Sequence, residues 1–311
     1  MKGVNYQRLN NRKKHFCNLQ NVKLTLLILI PSLTLCVLFL GSSFSFNTHN
    51  FDPLNVNYTL INKLEPPLSQ KNLIFIGDVH GSYDELLMLI NKINYDPLKD
   101  HLIFVGDLIA KGPKSTEVVQ LIRSLGASCV RGNHDDKVLQ FKNILDFLDS
   151  QKIPLDEFIK KHDISKDIVN SEHGLLAKEL DMELYNFLLS CPIILDIPEY
   201  DLYVVHAGLL PDVPLFEQDP SDIMTMRNIM KNGKPTSQKD EGHAWSKYWN
   251  AAQEKSSSPK TVIYGHDAAR GLKIKPYSFG LDSRCVHGGE LSALIWNDRE
   301  IISVKCKNYV D

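Results

Sequence analysis

In the stretch LIFIGDVHG, residues 73–81, four apolar residues are followed by a glycine and then by an aspartate and a histidine. A short apolar run bounded by glycine predicts a buried strand, so Asp78 and His80 are expected in the loop at its carboxyl end. Ser82 and Glu85 follow with the spacing of a capping box, and apolar residues at helical intervals come next. The stretch therefore predicts a strand, a ligand-bearing loop and a helix.

Two further units of this kind follow. Residues 102–113 are LIFVGDLIAKGP, and residues 128–135 are SCVRGNHD. Periodic apolar residues at 115–125 predict the helix after the second unit. Repetition of strand, loop and helix predicts a mainly parallel sheet, in which ligand-binding residues meet beyond the carboxyl ends of the strands.

Two later apolar runs end on a histidine, in LYVVHAG at 202–208 and VIYGHD at 262–267. A single histidine after a strand is more often a hydrogen-bonded core residue than a ligand, but five such blocks in succession predict a metal site. The candidate ligands are Asp78, His80, Asp107, Asn133, His206 and His266. Carboxylate, carboxamide and imidazole ligands suit divalent transition metals. Six ligands suffice for two ions if one carboxylate bridges them, and such a pair suits phosphoryl transfer.

In this order the blocks GDVHG, GDLIAKGP, RGNHD, VHAG and YGHD resemble those of the calcineurin-like metallophosphoesterases of the phosphoprotein-phosphatase type. The resemblance covers about residues 70–310. It implies an α/β fold, a four-layer α/β/β/α sandwich with two mixed β-sheets. It also implies two ligand sets that share a bridging carboxylate: Asp78, His80 and Asp107 for one ion, and Asp107, Asn133, His206 and His266 for the other.

The same resemblance implies the catalytic and substrate-binding roles. His134 lies where the family has the histidine that protonates the leaving oxygen, and catalysis also depends on the bridging Asp107. Arg131 and Lys111 are expected to bind substrate phosphate. Arg227 lies where the wider family has another phosphate-binding arginine, although a solvated helix face is an equal alternative.

The second block departs from the GDxxDRG pattern of the protein phosphatases, in which the second aspartate orients the catalytic histidine. Here Ala110 replaces that acid and Lys111 replaces the arginine, so the positive charge stays but the bidentate geometry is lost. The orienting role for His134 could pass to Asp135 or Asp136.

These departures, together with GLDSRCVHGGEL at 280–291, resemble the ApaH-like branch of the family, whose members cleave phosphoanhydrides. Within that branch the resemblance is to the zinc-dependent endopolyphosphatases of fungal vacuoles. It implies hydrolysis of internal bonds in inorganic polyphosphate, with two divalent ions as cofactor. Zinc is expected, and manganese or cobalt are alternatives. Arg270 and Arg284 could extend the contact with a polymer, but surface roles are favoured.

Other functions stay open. An ApaH-like pyrophosphohydrolase would act on dinucleoside polyphosphates or RNA caps, and Trp245 and Trp249, one helical turn apart, could then stack a base, although core packing is expected. A serine/threonine protein phosphatase is a further alternative. A catalytically silent, membrane-tethered sensor of phosphate polymers would require damaged ligands, and all six candidates are intact.

Outside the motifs the chain is expected to supply further strands and packing helices. Apolar runs predict strands at 193–197, 201–205, 261–264, 277–281, 291–296 and 301–305. Residues 135–190 look helical and lack motifs, so a cap insertion or packing helices are expected there. Five histidines without ligand-like context are expected in surface or structural roles: His101, His162, His173, His243 and His287.

The N-terminal region predicts membrane attachment. Residues 1–23 form a basic tail, and residues 24–46 carry no charge and are long enough, as a helix, to cross a bilayer as a signal anchor. A cleaved signal peptide is the alternative. Residues 47–70 are expected to be a linker and 71–311 the catalytic domain, on the lumenal side of a vacuolar membrane. The tripeptide Asn57-Tyr58-Thr59 is a glycosylation acceptor on that side.

The composition is that of a globular protein, with 43% hydrophobic and 23% charged residues, which excludes a disordered or fibrous chain. Residues 1–50 hold six of the 35 basic residues and none of the 37 acidic ones, so the remainder is net negative. An acidic body argues against a nucleic-acid partner. The cysteines of the body lack CxxC spacing, so small core residues are expected rather than a disulfide framework or zinc knuckle: Cys129, Cys191, Cys285 and Cys306.

Overall fold

The computed structural model describes residues 56–161 and 170–310. The strands are β1 Ile61–Lys63, β2 Asn72–Ile76, β3 Asp100–Phe104, β4 Ser128–Cys129, β5 Ile194–Ile197, β6 Leu202–Val205, β7 Asn228–Ile229, β8 Pro235–Thr236, β9 His243–Ala244, β10 Thr261–Tyr264, β11 Lys273–Lys275, β12 Ser278–Gly280, β13 Glu290–Ile295 and β14 Glu300–Lys305. The α-helices are α1 Tyr83–Lys92, α2 Ser115–Ser124, α3 Asn133–Gln151, α4 Leu155–Lys161, α5 Glu172–Glu179, α6 Met182–Ser190, α7 Pro220–Thr225 and α8 Trp245–Gln253.

Two mixed sheets form the centre of the fold, as expected. One has the order β14-β13-β2-β3-β4, in which β2, β3 and β4 are parallel and β13 is antiparallel to both its neighbours. The other has the order β1-β5-β6-β10-β12-β11, with a parallel centre of β6, β10 and β12. A small third sheet has the order β8-β7-β9.

Alternation of side chains along the strands builds four layers. In β2, Ile74 and Ile76 pack in the core under the helices, whereas Leu73 and Phe75 pack between the two sheets. On the far face of the second sheet, α7 and α8 complete the fourth layer, and Trp245 and Trp249 are buried there. The expectation of core packing for both tryptophans is confirmed.

The expected capping box at the start of α1 is wrong. Ser82 precedes α1, but its side chain makes no capping hydrogen bond, and Glu85 accepts hydrogen bonds from the hydroxyl of Tyr309 and the backbone of Lys307 instead. The true carboxylate cap is at α3, where Asp135 accepts from the backbone N–H of Gly132 at 2.9 Å. The region 135–190 contains packing helices, as expected.

The four cysteines of the body form disulfides, which corrects the expectation of free core residues. Cys129 at the end of β4 is bonded to Cys191 after α6, and Cys285 is bonded to Cys306. Their sequence separations of 62 and 21 residues explain why local spacing did not reveal them. Disulfides persist in oxidising compartments and are rare in the cytosol.

The predicted tail and anchor and residues 47–55 of the predicted linker lie outside the described residues, as does His162. Residues 56–70 of that linker are described and include β1, which pairs with β5, so this part of the chain belongs to the fold. Among the residues that the structure describes, none of the helices combines the length and apolar character needed to span a membrane. Asn57 is described and is exposed.

We expect replacement of both Cys129 and Cys191 by serine to lower the free energy of unfolding by about 3–4 kcal/mol, because the bond closes a long loop. Urea unfolding of the purified protein measures the change. The matched pair Cys285→Ser and Cys306→Ser closes a shorter loop and should lower the stability less. Unchanged stability in the first variant would contradict the prediction.

Candidate active site

The six predicted ligands converge at the carboxyl ends of the central strands, around the carboxylate of Asp107. Its Oδ2 lies 3.4 Å from Nε2 of His80 and 3.3 Å from Nε2 of His206. The same nitrogen of His206 is 3.1 Å from Oδ1 of Asn133. One carboxylate thus belongs to two adjacent groups of ligand atoms, which is the arrangement a bridging ligand requires.

The other two ligands are joined to each other by the backbone. The N–H of His266 donates to both carboxylate oxygens of Asp78, at 3.2 and 3.0 Å. The ring of His266 lies 5.0 Å from that of His206, and a nitrogen of each falls in one group with Asp107. The candidate ligands of the five sequence blocks therefore lie together in the structure.

Three of the ligands sit in an unusual backbone conformation. His80, Asp107 and His266 have φ values of 47°, 49° and 69°, in the left-handed region. Non-glycine residues occupy this region at an energetic cost and do so mostly where function demands it. The sharp turn after each strand directs the side chain back over the sheet edge.

The hydrogen bonds of the histidines fit metal binding. Nδ1 of His80 donates to the carbonyl of Ile109, and Nδ1 of His206 donates to that of Val105. Nε2 of His266 bonds the carbonyl of Thr225 at 3.0 Å. Because a carbonyl only accepts, the proton lies on that nitrogen, and the opposite nitrogen of a neutral ring presents its lone pair to the site.

Burial and charge set the protonation of these groups. Burial lowers the pKa of His80 to about 3 and holds that of His266 well below its usual range, so both are neutral at pH 7. For His206, burial is outweighed by Asp107 and the pKa rises to about 9, so without a metal the ring also carries a proton on Nε2, which a bound ion would displace. Burial and Asp282 raise the pKa of Asp78. Buried carboxylates in such proximity require positive charge, which divalent ions would supply.

His134 lies beside this group and is held from two directions. Its backbone N–H donates to Oδ1 of Asp107 at 2.9 Å. Its Nδ1 lies 2.8 Å from Nε2 of His173, and the two rings lie end to end and nearly coplanar, with an interplanar angle of 24°. Burial lowers the pKa of His134 to about 4. His173 was expected in a surface or structural role, and the structure places it in contact with His134.

Neither acid proposed to orient His134 does so. Asp135 is buried and accepts from the backbone N–H groups of Leu108 and Gly132, both at 2.9 Å. It therefore ties the second block to the third. Asp136 pairs with Arg131. The contact with His173 comes from a helix far along the chain, and no signal in the motif blocks could have identified it.

The expected phosphate-binding role of Arg131 is also corrected. Its side chain is fully buried and does not line the cavity over the ligands. The guanidinium donates to the carbonyls of Asn57 and Leu189 and to the carboxylate of Asp136. Because these acceptors are not metal-ligand residues, Arg131 stabilises the fold by joining distant segments of the chain and does not face the cavity.

A cavity of about 410 Å³ opens over the ligands. Lys111 and Arg227 line it as predicted, and sequence reasoning missed Lys239, Asp282 and His287. Nζ of Lys111 lies 2.9 Å from Nε2 of His80, so a cation already faces that lone pair. The guanidinium of Arg227 is held by the carbonyls of Ser237 and His266.

The two other arginines that were candidates for contact with a polymer do not line the cavity. Arg270 bonds the carboxylate of Asp267 and, at 2.6 Å, Oδ1 of Asn228. Arg284 is exposed on the turn before β13. The favoured expectation of a role outside the site agrees with both positions.

The fold and the shared-carboxylate site together define a metallohydrolase. The family model of the calcineurin-like phosphoesterases matches residues 71–301. The chain therefore belongs to the calcineurin-like phosphoesterase family, and it is a hydrolase that uses divalent metal ions.

Several relatives give the family a narrower context. The chain is 33% identical over 266 residues to the zinc-dependent endopolyphosphatase of Saccharomyces cerevisiae, covering 76% of this chain and 81% of that relative. It is 31% identical over 284 residues to the symmetrical bis(5'-nucleosyl)-tetraphosphatase of Baumannia cicadellinicola, covering 74% and 91%. A crystal structure assigned as a diadenosine tetraphosphatase is 34% identical, with a TM-score of 0.66, covering 81% of this chain and all of that one.

Replacing Asp107 by alanine should reduce hydrolysis by more than about 100-fold, because loss of a shared ligand exceeds the usual effect of losing an outer-shell partner. Bound metal, measured by plasma mass spectrometry, should fall in parallel. Asp149→Ala, which removes an exposed acid at the end of α3, is the control and should behave as the wild type. A folded Asp107→Ala protein that retains full metal and activity would refute the bridging role.

Proposed function

We propose that the protein is an endopolyphosphatase, which hydrolyses internal phosphoanhydride bonds of inorganic polyphosphate with zinc as its metal. The observation that carries this proposal is the lining of the cavity. Lys111, Arg227 and Lys239 supply cationic groups, whereas among the residues described no phenylalanine, tyrosine or tryptophan lines it.

This lining suits a substrate that presents charge and no ring. Nucleotide-binding sites commonly stack a base on an aromatic side chain. The tryptophan pair that could have done so is 2% and 5% exposed and belongs to the core. A polyphosphate chain needs only cations along its path, and the zinc-dependent endopolyphosphatase of Saccharomyces cerevisiae is a relative of comparable length.

The side chains divide the work of the reaction. Two bound divalent ions would supply Lewis acidity to the phosphoryl oxygens and activate water as the nucleophile. The six strand-end ligands hold those ions in place. Lys111 and Arg227 bind and orient the phosphates. His134, protonated when the anionic substrate offsets the effect of burial on its pKa, gives the proton on Nε2 to the leaving oxygen.

The tetraphosphatase relatives support a second candidate. Dinucleoside tetraphosphates contain the same phosphoanhydride bond, and the identities to those relatives are close to that of the polyphosphatase. The two candidates differ in whether the substrate carries a base. A protein phosphatase is disfavoured, because Ala110 and Lys111 replace its acid and arginine.

Incubation of the protein with long polyphosphate, diadenosine tetraphosphate and a phosphopeptide in parallel tests the proposal, with zinc, manganese and cobalt each added. We expect gels to show long polyphosphate passing through intermediate lengths before monophosphate accumulates. Undiminished long chains beside growing monophosphate would contradict internal cleavage, and preferred turnover of diadenosine tetraphosphate would establish the second candidate.

Within the same assay, Lys111→Ala should slow polyphosphate cleavage by at least about tenfold, because a fixed cation beside the reacting phosphate is lost. Lys255→Ala removes an exposed lysine that does not line the cavity and serves as the matched control. Equal rates for the two variants would remove Lys111 from the substrate path.

The proposal includes a location. We infer that residues 24–46 anchor the protein in a membrane, with the catalytic domain in an oxidising lumen such as that of the vacuole. Two disulfides and an exposed Asn57 within a glycosylation tripeptide support this inference.

In a eukaryotic host, endoglycosidase treatment should increase the gel mobility of the wild-type protein but not that of Asn57→Gln. In intact organelles, residues 71–311 should resist added protease until detergent is present. Digestion without detergent would place the domain in the cytosol and overturn the inference.

A further inference from the structure

The position that orients the catalytic histidine in protein phosphatases has no acid in this chain. Ala110 is buried there, and its N–H donates to Oγ of Ser115 at 3.0 Å. Asp135 and Asp136 are engaged elsewhere. The imidazole of His134 nevertheless has a hydrogen-bond partner, His173, at 2.8 Å.

We propose that His173 is the positioning residue of the active site: by bonding Nδ1 of His134, it directs Nε2 of that ring to the leaving oxygen. This inference rests on the proposed role of His134 as the proton donor. The bond restrains the rotation of the His134 ring, because a hydrogen bond to a ring nitrogen lies in the plane of that ring and the two rings are within 24° of coplanar. Nε2 is then the nitrogen free to meet substrate.

A contact with a second ring also restricts the orientation of His134. His80 lies edge-on to His134, with an interplanar angle of 89° and centroids 5.0 Å apart. His134 is thus held by His173 in the plane of its ring and contacted by the perpendicular ring of His80. Its backbone is tied to Asp107 as well.

The helix that carries His173 is docked at both ends. At its start, the carboxylate of Glu172 accepts a hydrogen bond from the backbone N–H of Lys111, in the substituted second block. Further along, Ala177 and Leu180 are buried in the main core. Because those residues hold α5 in place, a substitution at 173 can remove the histidine contact without undocking the helix.

Aryl phosphate hydrolysis by the full-length protein tests the inference. Phenyl phosphate has a poor leaving group that needs a proton, whereas 4-nitrophenyl phosphate has a good one. His173→Phe keeps an aromatic ring at this position but lacks the hydrogen bond, so we expect kcat for phenyl phosphate to fall about 10- to 100-fold, with KM little changed. The loss for 4-nitrophenyl phosphate should be less than about threefold.

Three further variants distinguish a positioning role for His173 from a purely structural one. His173→Gln returns a polar group near the position of Nε2 and should recover most of the loss. Lys178→Ala, an exposed change on the same helix, is the control and should match the wild type. His134→Ala should show the same dependence on leaving group as His173→Phe, but a larger loss.

The outcomes are distinguishable. If His134→Ala loses both substrates equally, the proposed proton donor is wrong, and with it the role of His173. If His134→Ala shows the leaving-group dependence and His173→Phe does not, the positioning role alone is overturned. Equal losses in His173→Phe and His173→Gln would likewise overturn it.

Discussion

The shared carboxylate of Asp107 is the constraint on which the rest of the structure depends. Oδ2 contacts a histidine from each side, and Oδ1 accepts the backbone N–H of His134. A group with this many partners must be placed accurately. Its position in the loop after β3, which lies between β2 and β4, provides that accuracy, because the strand is hydrogen-bonded on both sides.

Placing the ligands this way strains the backbone, and neighbouring contacts offset the strain. The loop of Asp107 turns back over the sheet in the left-handed region, as do the loops of His80 and His266. Asp135 accepts hydrogen bonds from the loop after Asp107, and the N–H of His80 donates to the carbonyl of Asp107 at 2.8 Å. The N–H of His266 in turn donates to the carboxylate of Asp78, so hydrogen bonds connect the three loops.

Much of this could be predicted from the sequence, because a strand followed directly by a turn and a ligand is a local pattern. The two mixed sheets and the convergence of six ligands follow from that pattern and the family resemblance. The predictions that failed depended on contacts between residues far apart in the sequence. Arg131 follows a strand as the ligands do, but its direction depends on carbonyl acceptors at Asn57 and Leu189, which no motif encodes. The disulfide partners and the contact of His173 likewise come from distant parts of the chain.

The substitutions in the second block form one electrostatic change. An aspartate at 110 would add negative charge beside a cavity whose substrate is itself anionic. With Ala110 in its place and His173 against His134, the orienting contact comes from an imidazole. Burial lowers the pKa of His173 to about 4, so that ring is neutral at pH 7. Lys111 retains the cation of the missing arginine. Without a carboxylate at position 110, the site repels a polymer that carries charge on every phosphate less strongly. The reduced repulsion applies equally to polyphosphate and to a polyphosphate chain that carries nucleosides at its ends.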